Sequence, residues 1–480
     1  MRKTKKLIND PDRIVSEMVE GMVAAHPAIL RSVGDTGRVL VARDGPRDGK
    51  VGILIGGGSG HEPAFAGYVG RGLADAAVIG NVFASPSPRP IAEGTRAISG
   101  GRGVVHLYGN YSGDVMNFGM AAELCAADGI EVRSVPVIDD VASAPAERAG
   151  ERRGIAGDFF VFKIAGAAAD RMLDLDAVEA AARKANRRTF TMGVALEPCS
   201  LPQTRKPNFQ IADGEMEIGM GIHGEPGVRT GPLESADRVT DDLMARIFAE
   251  AGLTAGDRVA VLVNGLGATA MMELYILFRR AAQLLGEREV AIHASWVGEY
   301  VTALEMAGAS ITLLVLDDEL ASLLDHPCAT PALNVGQVTA EPVGSGPRAE
   351  AEPGETAAPW ADDEVVDDDA PDGDFRAETM RAAVIAIRDA ILDQQDWLSE
   401  LDGVVGDGDH GVTMATGWQA AADAVARTAP DTGIAGICRS VAEAFLDAVG
   451  ASSGPLIATA ILRAGETANG RRGLDGAATA

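Results

Sequence analysis

The sequence predicts an α/β region of two subdomains, followed by an acidic linker and an all-α domain. Three observations carry this expectation. From about residue 10 to 335, short β-branched runs alternate with Ala-rich helical stretches. Residues 336–374 are rich in Pro, Gly and acids, and cannot bury enough apolar surface to offset the entropy of ordering. Beyond them, apolar residues recur at i, i+3 and i+4 with no β-rich run between. A chain of 480 residues also exceeds one ordinary core, so several domains are expected.

Taken in order, the strand candidates are Val51–Ile55, Gly103–Leu107, Phe159–Phe162, Val259–Val263 and Ile311–Val315. Continuous apolar strands separated by helices indicate mainly parallel pairing. Leu173–Arg187 reads as a helix, with a second subdomain opening near Thr191. The expected division is therefore 1–190 and 191–335, a linker over 336–374, and a helical domain over 375–480. Within the last, Glu378–Leu401, Thr416–Arg427, Ile434–Ala448 and Leu456–Arg463 are the helix candidates.

The formal charge of −27 argues against a nucleic-acid or anionic-membrane partner. Much of the excess is local. Glu341–Asp374 holds twelve acids against one Arg, about −11 of the total, as in a self-repelling tether. Cys125, Cys199, Cys328 and Cys438 have neither metal-clip spacing nor the density of a disulfide framework. The basic start, Met1–Lys6, runs into Asn9-Asp10-Pro11 without an apolar segment, and no run approaches a membrane span. A reducing, cytoplasmic compartment is expected.

Five constellations bear chemistry. Gly56-Gly57-Gly58-Ser59-Gly60-His61-Glu62-Pro63 follows the first strand candidate. Glycines there let a ligand approach the backbone and leave amide N–H groups free to donate, although a purely structural turn has the same composition. Asn110-Tyr111-Ser112-Gly113-Asp114 places an acid past a strand's carboxyl end, where open α/β sheets bind ligands. Taken alone, Asp114 reads more readily as an N-cap for a helix starting near Met116. Gly219–Gly227 holds His223 between glycines, with little side-chain bulk beside it in sequence. A neutral imidazole can attack a carbonyl carbon, and a surface-loop histidine is the plain alternative.

Leu401–Gly411 carries Asp402, Asp407 and Asp409 among glycines. Carboxylates this close repel unless a cation or solvent screens them. Oxygen-only ligands suit Mg2+ bridging nucleotide phosphates, with a solvated acidic loop as the bland reading. Gly450–Pro455 opens the last helix, and its hydroxyls and free amides favour either an anion or ordinary capping.

Together these strings resemble the single-chain, ATP-dependent dihydroxyacetone kinase family, over nearly the whole chain. Its ketose-binding K domain is matched by Lys6–Pro11, GGGSGHEP, NYSGD, GMGIHGEPG and Val263–Thr269; its nucleotide-binding L domain by LDGVVGDGDHG and ASSGP. The resemblance implies a covalent hemiaminal between His223 and a ketose, with His61 assisting and Asp114 taking the proton of the phosphorylated hydroxyl. Gly58, Ser59 and Gly60 would shape the substrate pocket with His61 and Asp114. Mg2+ would lie on Asp402, Asp407 and Asp409, and ATP against Gly408, His410, Gly411, Ser452, Ser453 and Gly454. A homodimer through the K domain is implied as well.

Two departures stand out. Gly109 occupies a position where the family commonly has Lys, which removes a cation, adds volume and leaves room for a four-carbon ketose such as erythrulose. The 106 residues from 375 are about half the family's L domain, so a truncated helical barrel with open apolar faces is expected. The reading is therefore a ketose kinase, with a ketose sensor lacking turnover as the alternative.

Overall fold

The computed structural model describes residues 4–338, 375–403, 408–468 and 473–474. Met1–Val338 groups with Glu400–Asp409 as one compact unit, and Thr339–Ser399 with His410–Ala480 as the other. The linker expected over 336–374 lies outside the described residues beyond Val338.

The first unit opens with helix α1 (Ile14–Ala25) and contains two six-stranded sheets. The first sheet runs β1-β2-β4-β3-β5-β6, from β1 (Leu30–Val33), β2 (Val39–Ala42), β3 (Gly52–Ser59), β4 (Ala76–Val82), β5 (Val104–Gly109) and β6 (Val132–Val137). Strands β3 to β6 pair in parallel, while β1 and β2 are antiparallel additions at one edge. Helices α2 (Pro88–Ile98) and α3 (Ser112–Ala127) cover one face, where Ile91, Ala92, Phe118 and Ala121 meet Leu54, Val78 and Val104. The other face meets α4 (Asp158–Asp170) and α5 (Leu175–Arg187).

The second sheet runs β11-β10-β12-β7-β8-β9, from β7 (Thr189–Glu197), β8 (Glu215–Ile218), β9 (Arg229–Pro232), β10 (Arg258–Gly265), β11 (Ala291–Gly298) and β12 (Ala307–Leu316). Helices α6 (Ala236–Ala251) and α7 (Met271–Glu287) lie on one face, and α8 (Asp318–Leu324) follows β12. Strand alternation divides the work along β10. Val259, Val261 and Val263 join the α6/α7 core, whereas Ala260 and Leu262 join the larger core shared with the first sheet.

Three expectations are corrected. Pairing in the second sheet is mainly antiparallel, with only β10–β11 parallel. Apolar runs buried on both faces look alike in either arrangement, so composition could not separate them. Phe159–Phe162 is not a strand but the start of α4, which buries twelve of its thirteen residues. A helix buried all round has no polar stripe, so its sequence loses the 3.6-residue signature. Finally, Gly56, Gly57, Gly58 and Ser59 belong to β3 rather than to a turn. A Cβ at Gly57 would come within 2.4 Å of the Phe65 ring, and one at Gly58 within 2.7 Å of the Ala84 nitrogen. The glycines serve close packing, and the reversal begins at Gly60, with φ +99°.

The second unit is helical: α9 (Ala377–Asp393), then α10 (Gln395–Asp402), whose end groups with the first unit, and α11 (His410–Arg427), α12 (Ile434–Ala448) and α13 (Ser453–Glu466). A two-residue ribbon pairs Phe375–Arg376 with Gly473–Leu474. Gly417 lets α11 approach α12, since its Cβ would lie 2.4 Å from the Phe445 ring. Val384, Ala421, Ile437 and Val441 form the core between α9, α11 and α12. Ile385, Leu392, Trp397 and Leu456 are exposed. All four cysteines are free and buried, and no described helix is long and apolar enough to cross a membrane.

Candidate active site

Strand order places β4 on one side of β3 and β5 on the other, so the chain diverges at the carboxyl ends of β3 and β5. Such a switch point leaves a crevice that sheet residues cannot fill. His61 follows β3, and Asp114 lies in the first turn of α3, just past β5. His223 arrives from the second sheet, on the loop between β8 and β9. The fold thus brings His61, Asp114 and His223 to one place.

His61 is 2% exposed. The loop between β11 and β12 secures its turn, because Leu304 N–H donates to the Gly60 carbonyl (2.6 Å) and Thr302 N–H to the His61 carbonyl (3.2 Å). Asn264 in turn holds that loop. Its Oδ1 accepts from the amides of Tyr300 and Val301, both at 2.9 Å, and its Nδ2 donates to the Val301 carbonyl at 2.8 Å. The Val263–Thr269 string therefore acts by shaping the loop that carries Thr302.

The Thr302 carbonyl lies 2.7 Å from His61 Nδ1. A carbonyl can only accept, so Nδ1 carries the hydrogen and Nε2 faces the site. There it meets His223 Nε2 at 3.0 Å. Burial, and then the charge on His223, lower the His61 pKa to about 3. His61 therefore resists a charge of its own.

Glu225 holds His223 by two bonds. Its carboxylate accepts the His223 amide at 3.0 Å and lies 3.2 Å from Nδ1. Behind it stands Arg153, 3.8 Å from Glu225 Oε2 and clamped to Asp140 through Nε (3.1 Å) and Nη2 (2.8 Å). Burial opposes ionisation of Glu225. His223, by charge and hydrogen bond, and Arg153 outweigh it and hold the pKa down to about 2.

His223 is not left bare by its glycine neighbours. Tyr111 and Phe83 stand edge-on to its ring at 4.7 and 5.2 Å, and Phe83 also stacks on His61 at 5.1 Å. The bulk comes from elsewhere in the chain. Nor is the space beside Gly109 open, since a Cβ there would lie 3.1 Å from the Tyr111 ring and 3.2 Å from the Gly154 carbonyl.

Asp114 does not cap α3, which starts at Ser112 after Tyr111. Burial raises its pKa to about 7, against the opposing effects of Ser85 and the His223 charge. Its Oδ1 and the Tyr111 hydroxyl are shut from solvent without hydrogen-bond partners among the described residues. Ser59 is engaged elsewhere, donating to the Gly80 carbonyl at 2.8 Å. Gly58 and Gly60 lie in the backbone before His61, where a Cβ at Gly58 would meet the Phe83 and Ala84 backbone and one at Gly60 the Phe83 and Leu304 side chains.

Sequence reasoning missed Glu225, Thr302, Arg153, Phe83 and Tyr111. Glu225, two residues after His223, and Tyr111, three before Asp114, lie inside the quoted strings and were within reach of spacing.

Asp402 closes α10, and its Oδ2 accepts the Gly408 amide at 2.9 Å. Asp409 directly precedes α11, and Asp407 lies outside the described residues. Among the described residues, no group of three or more His, Cys, Asp or Glu side chains is assembled to hold a metal. The donor chemistry nonetheless fits Mg2+, because carboxylate oxygens in a glycine loop are ligands for a hard cation. His410 starts α11, and Gly411 is required beside it, since a Cβ would come within 2.0 Å of the Gln395 carbonyl. Ser452 precedes α13 without capping it through its side chain, and Ser453 and Gly454 form the helix's first turn. A Cβ at Gly454 would meet the Val449 carbonyl at 2.0 Å.

Residues 20–332 match the Dak1 domain family and residues 404–480 the DAK2 domain family. The chain is 50% identical over 331 residues to the dihydroxyacetone-binding subunit of a phosphotransferase-system-dependent dihydroxyacetone kinase of Listeria innocua, covering 69% of this chain and 99% of that protein. It is 40% identical over 484 residues to an L-erythrulose kinase of Pectobacterium atrosepticum, covering 98% of this chain and 79% of that one. Among solved structures, the dihydroxyacetone kinase of C. freundii in complex with AMP-PNP and Mg2+ matches with a TM-score of 0.64 at 30% identity, over 96% of this chain and 83% of that one. With both domains in one polypeptide, the chain belongs to the dihydroxyacetone kinase family.

Proposed function

We propose that this chain transfers the γ-phosphate of ATP to a terminal hydroxyl of a short-chain ketose held on His223 as a hemiaminal. The observation that carries this reading is the 3.0 Å approach of His223 Nε2 to His61 Nε2, with both outer nitrogens already anchored. Anchoring leaves the two Nε2 atoms as the groups able to act on a carbonyl brought beside them. The Nε2 lone pair of His223 attacks the carbonyl carbon, the C=O π pair moves to oxygen, and that oxygen takes up a proton relayed through His61 Nε2, which first receives it from His223 Nε2. A ketone reacts this way and a polyol does not, so chemistry selects the substrate.

Asp114 then accepts the proton of the hydroxyl being phosphorylated, a task for which a buried carboxylate with an unpartnered oxygen is suited once it is ionised, above about pH 7. Asp402, Asp407 and Asp409 are the residues that would hold Mg2+, which when bound neutralises charge on the phosphate oxygens. Gly408, His410, Gly411, Ser452, Ser453 and Gly454 would line the nucleotide. In this division residues 1–335 bind ketose, in subdomains 1–190 and 191–335, and 375–480 bind ATP. A homodimer through the ketose-binding region and a cytoplasmic location belong to the same reading, supported by the family resemblance alone.

Identity of 40% over nearly the whole chain to an L-erythrulose kinase supports a four-carbon ketose. The test is ADP release from MgATP with dihydroxyacetone, D-erythrulose and L-erythrulose in turn. Release with an erythrulose above dihydroxyacetone is the expected result. A ketose adduct without ADP would replace the kinase by a ketose sensor.

A further inference from the structure

The site contains a proton count that the reaction above leaves open. Four ring nitrogens form one line of contacts: His61 Nδ1 against the Thr302 carbonyl, the two Nε2 atoms against each other, and His223 Nδ1 against Glu225 Oε1. Both ends of the line are acceptors, so both Nδ1 atoms must carry hydrogen. The central contact needs one hydrogen more, because two bare lone pairs at 3.0 Å repel.

We infer that His61 and His223 share three N–H protons between them, so that the pair carries one positive charge which Glu225 balances and holds in place. Glu225 is thus a positioning residue, acting on the ketose only through His223. This rests on the hemiaminal reading for its chemical use, though the proton count itself concerns the free protein.

The balance of the reaction then closes inside the site. The central proton moves from His223 Nε2 to His61 Nε2, freeing the His223 lone pair. That lone pair forms the N–C bond, the carbonyl π pair becomes an oxygen lone pair, and His61 passes the proton to that oxygen. The product is an N-substituted imidazolium on His223, still carrying Nδ1–H toward the Glu225 carboxylate. One positive charge faces one negative charge before and after, and no proton comes from water.

The groups facing His223 come from several elements. His61 and Phe83 stand on the β3–β4 side, and Tyr111 and Asp114 at the end of β5. Glu225 stands on its own loop, with Arg153 behind it and Asp140 behind that. Asp114 adds a second acidic group only above about pH 7, so below that Glu225 is the ionised carboxylate beside the ring.

The test uses the full chain labelled with 15N-histidine, without ketose, titrated in wild-type, Glu225→Gln and Arg153→Met forms. In the wild type the His61/His223 signals should report a single shared proton lost as pH rises, an event belonging to the pair. Glu225→Gln should move that loss down by about one to three pH units, and Arg153→Met should move it up, because unscreening Glu225 strengthens its hold. Damage to the fold would not move the two variants in opposite directions. If Arg153→Met does not fold, the Glu225→Gln shift decides. Two neutral imidazoles throughout, or a titration that Glu225→Gln leaves in place, would overturn the inference. A ketose labelled with 13C at its carbonyl tests the underlying reading separately. Absence of an sp3 carbon signal in the wild type would remove His223 as nucleophile, while the nitrogen titration would still decide the proton count.

Discussion

The carbonyl of Thr302 accepts the Nδ1–H of His61 at 2.7 Å, and this bond ties the end of a first-sheet strand to a loop of the second sheet. It fixes which nitrogen of His61 faces the site. The tautomer of a group after β3 is therefore set by the loop between β11 and β12.

Asn264 is where that dependence can be probed away from the chemistry. It is fully buried and serves the amides of Tyr300 and Val301. Asn264→Ala would leave both donors without that acceptor, at about 1–3 kcal/mol for the buried Val301 amide and less for the half-buried Tyr300 amide. Urea unfolding should show that loss, and ketose capture should weaken with it. Full capture by a destabilised Asn264→Ala protein would show that the Thr302 loop does not govern His61.

His223→Ala should abolish both ketose capture and ADP release. His61→Ala keeps the nucleophile and loses its partner, so capture should slow by about 10²–10⁴-fold, in the range of a positioned acid–base group. Stopped-flow mixing with ketose separates the two. Equal loss in both variants would mean that the imidazoles act as one inseparable unit.

Asp114 makes a pH signature. Its pKa of about 7 in the folded chain stands above the ordinary 3.8, because burial disfavours the charge. As a base it works ionised, so turnover should rise with pH through about 7 and then level. The same shift means that the folded state keeps a proton the unfolded chain has lost, so stability falls as pH rises from about 4 to 7. Asp114→Asn should lose turnover, keep ketose capture, and show a higher thermal midpoint than wild type at pH 8 but not at pH 4. A wild-type rate profile flat across pH 6–8 would argue against Asp114 as the base.

Gly58→Ala would push a methyl group against the backbone of Phe83 and Ala84, at 2.7–2.9 Å. Backbone cannot rotate away, so overpacking of about 1–3 kcal/mol is expected, with Phe83 displaced from His61. The check is a lower thermal midpoint together with weakened capture. A wild-type midpoint would show that the strand can shift to admit the methyl.

The acidic loop has its own test. Asp402→Asn and Asp407→Asn should raise the Mg2+ concentration needed for half-maximal ADP release and leave ketose capture unchanged. Unaltered turnover in Asp407→Asn would remove it from the metal set.

Much of this was legible in residue patterns. Glycine strings around His61 and His223 and an acid past β5 are local facts, and backbone permissiveness with side-chain chemistry can be read from neighbours in sequence. Phe159–Phe162 was misread because a helix buried all round shows no periodicity. Gly56–Gly58 was misread because glycines kept for close packing look like glycines kept for a turn.

The sequence by itself determined most of the element classes, the family and the chemical identities of the reactive groups, since these depend on composition, spacing and motif. Only the tertiary structure decided which groups meet. His61 and His223 lie 162 residues apart and touch through two different sheets. The tautomer and charge they share are set by Thr302 and Glu225. The bulk around His223 comes from Tyr111 and Phe83. Hydrogen-bond direction and burial are properties of position in space, and no local pattern in the chain encodes them.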